Sequence, residues 1–212
     1  KWTPEDPWGV ERNDELQGYV IQAFSQENGI LRIQCEKKPT FYDGEKREYR
    51  SGMMSTTRKF SQKFGKFEIR CRVPKGRGLW PAFWLLPEPP ACPPEIDVLE
   101  ILGHETDRVY LSHHWVDPKN PKGASLSLTG EFKGPDFSKD FHTFSVEWNP
   151  GEIRWLIDGV VRHTSRKEVP EIPMFLLVNL AVGGWAESPD ESTPFRSEER
   201  RVGEECRSRW SP

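Results

Sequence analysis

Three acids stand in the segment Glu95-Ile96-Asp97-Val98-Leu99-Glu100, in a run otherwise made of aliphatic residues. Carboxylates in so apolar a strand cost free energy unless they are hydrogen-bonded, paired or facing a wet cleft. An ordinary half-exposed strand, with acids outward and aliphatics inward, stays open as an alternative for the segment taken alone. Strand faces alternate with a period of two, so Glu95 and Asp97 share a face and Glu100 points the other way. One β-bulge at Val98 or Leu99 would bring Glu100 round to join them, with the aliphatics filling the opposite face. With the bulge counted, about 3.3 Å per residue puts the Cα atoms of Glu95 and Glu100 roughly 13 Å apart. Side chains leaning inward could then bring the carboxyl groups toward the ~5–5.5 Å at which two acids cleave a glycosidic bond with retention. Asp97, between them, would hold the nucleophile and set the two pKa values apart.

Such a strand needs a sheet, and the chain reads as short strands separated by turn residues. The run from Gly29 to Lys37 is rich in apolar residues. Phe67, Ile69, Cys71 and Val73 alternate strictly with Glu68, Arg70 and Arg72, the pattern of a half-buried strand. Leu79 to Leu86, Arg108 to Trp115, Thr143 to Trp148 and Ile153 to Ile157 read as further strands. Asn149-Pro150-Gly151 and Asp158-Gly159 are hairpin turns. Phe175 to Val182 is continuously apolar, which suits a strand in the middle of a sheet. No long stretch has helical periodicity, so an antiparallel sandwich or barrel is expected. Residues 196–212 hold five Arg and four Glu and do not continue the β pattern. They are expected to be a disordered or non-native tail.

Composition sets the class. The 212 residues fit one domain. Thirty Lys+Arg against 33 Asp+Glu give a net charge of -3, which gives no reason to expect nucleic acid or an anionic membrane as partner. No apolar run reaches the roughly 18 residues of a membrane span. The chain begins at Lys1 rather than Met, as a processed or trimmed product would, so a missing leader bears on nothing. Nine Trp and twelve Phe supply core area, and some indoles could pack on pyranose rings. None of Cys35, Cys71, Cys92 and Cys206 lies in a CxxC pair or a zinc-spaced cluster. Cys35 and Cys71 fall in strand-like alternation and are expected to be small buried hydrophobes.

The acid segment resembles the ExDxxE signature of glycoside hydrolase family 16, in the bulged form of its laminarinase-like members. Gly78-Leu79-Trp80-Pro81-Ala82-Phe83-Trp84-Leu85-Leu86-Pro87 is similar to the family's strand just before the signature. Arg50-Ser51-Gly52 and Phe64-Gly65-Lys66-Phe67-Glu68 are similar to its earlier strands. Asn13-Asp14-Glu15-Leu16-Gln17 resembles its N-terminal motif, and Asn179-Leu180-Ala181-Val182-Gly183-Gly184-Trp185 its late concave strand. The resemblance covers Trp2 to Phe195. It implies a catalytic domain over residues 1–195, an all-β jelly-roll sandwich of two antiparallel sheets with a concave substrate cleft. It implies Glu95 as nucleophile, Asp97 as assisting carboxylate and Glu100 as general acid/base.

Around the acids, Trp80, Ala82 and Trp84 share one strand face, which makes Trp80 and Trp84 candidate sugar platforms; core packing stays open for Trp84. His114-Trp115 resembles the His-aromatic pair that laminarinase-like members carry near the acid/base. Arg50 could donate to sugar hydroxyls, Asn13 and Glu15 lie in an expected cleft-edge loop, Trp185 follows Gly183-Gly184, and Asn179 could support the site by hydrogen bonding. The family's last apolar strand is replaced here by the Arg/Glu-rich tail. Many members hold a structural calcium on the convex side partly through that strand, so its loss counts against calcium. No cofactor is expected to be required. The expected activity is endo-hydrolysis of β-1,3 or mixed β-1,3-1,4 glucan by double displacement. The rivals are action on agar, carrageenan or a galactan, glycosyl transfer, and a non-catalytic glycan-binding jelly roll. A secreted monomer, extracellular or periplasmic, with a polysaccharide as its partner is the expectation.

Overall fold

A computed structural model describes residues 1–7, 13–120 and 125–195, together with the backbone of Glu205–Arg207. Strands are numbered in chain order. One antiparallel sheet runs β12 (Ser125–Lys133), β11 (Arg108–Val116), β10 (Glu95–Glu100), β9 (Leu79–Pro87), β16 (Met174–Val182) and β7 (Met53–Ser55). The other runs β15 (Val160–Ser165), β14 (Glu152–Ile157), β13 (His142–Asn149), β8 (Gly65–Arg72), β17 (Glu205–Arg207), β3 (Ile30–Ile33) and β2 (Phe24–Glu27). A parallel pair, β1 (Gln17–Tyr19) with β6 (Tyr49–Ser51), and the hairpin of β4 (Thr40–Tyr42) and β5 (Glu45–Arg47) complete the set. The architecture is an antiparallel sandwich, as the short, turn-bounded strands predict, and it takes the jelly-roll form that the family resemblance implies.

The alternating pattern explains the packing. Phe67, Ile69 and Cys71 of β8 turn inward and are buried. They meet Ile96, Val98, Leu99 and Ile101 from the other sheet in one core, with Trp148 and Trp155 fully buried among them. Each buried indole removes roughly 150–250 Å² from water, on the order of 4–6 kcal/mol before ordering costs. The turn between β14 and β15 has Asp158 at φ 49 and Gly159 at φ 78, the pair of left-handed residues that a two-residue hairpin with the native strand twist requires.

β16 is buried at all nine positions. Its inward residues, from Met174 to Val182, join the main core. On its other face Phe175 and Leu177 pack with Tyr19, Met53 and Leu86 in a second, smaller cluster, with Tyr42 and Trp84 against it. The N-terminal strands thus cover part of that sheet face, and the uncovered part is available as a cleft.

Two features depart from the sequence reading. β12 is missing from it, because its burial alternates only between exposed and half-exposed; an edge strand with few buried residues carries little hydrophobic signal. The tail expected outside the fold instead contributes β17, with Cys206 paired to Cys71 on one side and Leu31 on the other. Open backbone groups on β8 and β3 accept any chain segment within reach, with or without apolar periodicity. The rest of the tail, 196–204 and 208–212, lies outside the described residues.

Candidate active site

The site begins with an irregularity in β10. Against β9, Asp97 pairs with Trp84 and Leu99 with Phe83, so two steps on β10 face one on its neighbour. Against β11, Asp97 pairs with Ser112 and Glu100 with Tyr110, three steps against two. The extra residue is Val98. Both Val98 and Leu99 consequently turn into the core, and Glu95, Asp97 and Glu100 emerge on one face, lining a cleft of ≈ 530 Å³. A bulge disrupts the local ladder, and here Trp155 of the opposite sheet donates its indole N–H to the Asp97 carbonyl at 2.7 Å.

Neighbouring strands hold the three carboxyls. Cys92, in the turn before β10, donates its thiol to Glu95 Oε2 at 3.0 Å. His114, paired with Glu95 across β10 and β11, places Nε2 3.1 Å from Asp97 Oδ2. The two atoms are close without an aligned hydrogen bond between them. Trp80 donates its indole N–H to Glu100 Oε1 at 3.2 Å. Trp185, 44% exposed, packs on Tyr110 with ring centroids 4.5 Å apart and meets Trp80 edge-on at 5.8 Å. These indoles form an aromatic wall at the Glu100 end.

All three acids bind protons more tightly than free carboxylates. Burial, then the Asp97 charge, raises Glu95 from 4.5 to about 8, while the Cys92 hydrogen bond and the His114 charge oppose the rise. Burial, then the Glu95 charge, raises Glu100 from 4.5 to about 8, opposed by the Trp80 hydrogen bond. Asp97 is raised by burial and then by Glu100, against a hydrogen bond with Glu95. Acids this close titrate as one unit, so the cluster retains protons at neutral pH. Two neighbours favour the charged form of Glu95 and one that of Glu100. Both are nonetheless raised alike, to about 8, whereas a retaining pair works with one member ionised and the other protonated, so the pair shares its protons as a unit.

The ligand-capable atoms of Glu95, Asp97 and His114 lie within 4.8 Å of one another. Their contacts with each other and with Cys92 account for that grouping as a proton-sharing cluster.

Of the other candidates, Asn13, Trp80, Trp84, His114, Asn179 and Trp185 line the cleft, as does Glu15. Trp84 is on the cleft face but is tied by its N–H to Asn179 Oδ1 at 2.8 Å. Two candidates lie elsewhere. Arg50 is half-buried and ion-paired to Glu36 through both Nε and a terminal nitrogen; the partner neutralises it away from the cleft. Trp115 has the parity of His113, not of His114, and its ring lies 5.0 Å from the buried His113. Alternation along β11 turns it away from the acids. The sequence reading missed Cys92, Ser112 and Thr129, which also line the cleft. Ser112 shares the parity of His114 and was findable by counting; Cys92 sits in a turn without periodicity.

Fold and site together define a jelly-roll glycoside hydrolase. The chain belongs to the family described as Glycosyl hydrolases family 16, whose model matches residues 17–201. It is 35% identical over 210 residues to an endo-1,3-1,4-beta-glycanase of Rhizobium meliloti (strain 1021), covering 93% of this chain and 44% of that protein. It is 35% identical over 199 residues to a beta-glucanase of Rhodothermus marinus, with 84% and 66% covered. The catalytic domain of an endo-1,3-beta-glucanase (laminarinase) from Thermotoga petrophila RKU-1 superposes with a TM-score of 0.79 at 36% identity, over 97% of this chain and 86% of that one. The chain thus spans less than half of the Rhizobium protein.

Proposed function

We propose that this chain is an endo-acting retaining β-glucanase that cuts β-1,3 or mixed β-1,3-1,4 linkages. The observation that carries this reading is the Val98 bulge, which gathers three proton-retaining acids on the floor of an aromatic-flanked cleft. Glu95 attacks the anomeric carbon and forms a glycosyl ester as the glycosidic C–O bond breaks. Glu100 gives its proton to the departing oxygen. Glu100 then takes a proton from water, whose oxygen attacks the anomeric carbon and releases Glu95. Asp97 steadies Glu95 through the hydrogen bond between them. The two-carboxylate reaction needs no cofactor.

A purely glycan-binding module has no use for three buried acids whose charges repel, which disfavours that alternative. The relatives named as β-glucanases support glucan over agar, carrageenan or galactan. A polymeric substrate is met outside the cell, which supports a secreted, extracellular or periplasmic location; no helix among the described residues is long and apolar enough to cross a membrane.

The test is product analysis on laminarin and barley mixed-linkage glucan, with proton NMR of the first anomer released. Oligosaccharides of retained β configuration are expected. Glu95→Ala and Glu100→Gln should each lose nearly all activity; full activity in either variant rules out its assigned role.

A further inference from the structure

Trp84 stands opposite Asp97 in the β9–β10 ladder, beside the carboxylates over which the transferred sugar must sit. Its indole N–H is engaged with Asn179 Oδ1 at 2.8 Å and so is committed to the protein. Asn179 in turn donates its amide N–H to the Tyr19 hydroxyl at 3.0 Å, and Tyr19 donates its hydroxyl to Glu15 Oε2 at 3.0 Å. Gln17 adds a second donor to that oxygen at 2.6 Å, while its own Oε1 accepts the Val182 N–H.

The order of these bonds matters. Every donor points the same way, from Trp84 through Asn179 and Tyr19 to the carboxylate of Glu15. Bonds aligned in one direction polarise and strengthen one another, most of all when the chain ends on a charge. Asn179 is fixed at both ends, with oxygen toward Trp84 and nitrogen toward Tyr19, so its amide has one orientation. Gln17, Tyr19 and Asn179 are buried, where an unpaired polar group is costly. Packing under Trp84 comes from the small second cluster that includes Tyr19. The N-terminal stretch Glu15–Tyr19 is thereby linked through Asn179 to the Trp84 indole on the cleft face opposite Asp97.

We propose that Tyr19 and Asn179 are positioning residues that hold Trp84 against the substrate through a one-way hydrogen-bond chain anchored on Glu15. The proposal rests on the β-glucanase reading for its kinetic test but not for its spectroscopic one.

The experiment compares Tyr19→Phe, Trp84→Phe and the double variant with the parent protein. Tyr19→Phe keeps the ring and removes only the hydroxyl. Its kcat on laminari-oligosaccharides is expected to fall about tenfold, the worth of one lost hydrogen bond at the transition state, with KM changed less than about twofold. In the double variant the two losses should not multiply, because both act through one indole. The Trp84 indole N–H resonance, assigned by its disappearance in Trp84→Phe, should shift in Tyr19→Phe and in Asn179→Leu while the other indole signals stay. Multiplying losses, or an indole signal unmoved in both variants, overturns the proposal. A parent protein that cuts neither glucan overturns the β-glucanase reading instead, and the indole shift still decides the hydrogen-bond chain.

Discussion

Trp155 reaches across the core from β14 and donates its indole N–H to the backbone carbonyl of Asp97 at 2.7 Å. One bond therefore joins the two sheets at the position where β10 departs from regular pairing. The bulge sends Glu100 to the same face as Glu95, so the bond that secures the bulge also secures the separation of nucleophile and acid. Trp155→Phe keeps most of the buried volume and leaves the Asp97 carbonyl without its donor. The expected cost is about 1–3 kcal/mol, or several degrees at ~2–4 °C per kcal/mol for a chain of this size. The kcat on laminarin should fall by more than about tenfold, because small displacements of catalytic groups are amplified in rate. Urea unfolding and steady-state kinetics on one preparation check both. Lost stability with unchanged kcat would show that the bulge holds without Trp155.

The proton affinity of the acid cluster makes stability depend on pH. Glu95 and Glu100 keep their protons to about 8 in the folded chain, against 4.5 ordinarily. Between those values the unfolded chain releases protons that the folded chain retains. Their contribution is fully present below about pH 4.5 and is lost as pH rises to about 8. His113, which burial first and then the His114 charge lower to about 4, acts oppositely and weakens the fold as pH falls below 6.5. Comparing parent and variant removes that background. Glu100→Gln, whose side-chain oxygen can still accept from Trp80, should melt a few degrees higher than the parent at pH 8 and near the parent at pH 4.5. Differential scanning calorimetry at the two values decides; an equal difference at both refutes the linkage. The basic limb of kcat/KM is expected near pH 8, where the acid loses its proton.

The site was more legible than the periphery. Glu95, Asp97 and Glu100 stand out because acids are costly among aliphatics, and parity required a bulge at Val98 or Leu99 for Glu100 to share a face with the other two, which is where the register shifts. β8 and β16 were visible because burial imposes alternation on one and continuity on the other. β12, facing solvent along most of its length, left no such imprint. Arg50 misled because its partner Glu36 lies 14 residues away, a pairing set by the fold and not by local spacing. Trp115 misled because a neighbouring histidine outweighed parity. Tyr19 could not be found at all, since its partners Glu15 and Asn179 meet only when the N-terminal segment crosses β16.

The placement of Arg50 separates stability from binding. Its half-buried pairing with Glu36 predicts that Arg50→Ala costs about 1–3 kcal/mol, between an exposed and a buried ion pair. KM for laminarin should stay within about twofold of the parent. Urea unfolding reads the first quantity and initial rates the second; a large rise in KM with unchanged stability would put Arg50 back in contact with sugar.

Cys92 makes the nucleophile sensitive to thiol chemistry. Its S–H bond to Glu95 Oε2 favours the ionised carboxylate that must attack. The other titratable groups facing Glu95 are Asp97 and Glu100 on its own strand and His114 on β11; β9 places the uncharged Trp84 opposite Asp97. Cys92→Ala leaves all of these and removes only the thiol. Glu95 then ionises less readily, and the acidic limb of kcat/KM should move up by roughly 0.5–1 pH unit, the worth of one hydrogen bond. Cys92→Ser keeps a donor and should hold the limb near its original position. Cys92 is exposed while Cys35 and Cys71 are buried, so iodoacetamide should inactivate the parent and spare Cys92→Ser, with laminari-oligosaccharide slowing the loss. An acidic limb that stays put in Cys92→Ala would mean that Asp97 and His114 alone govern the nucleophile.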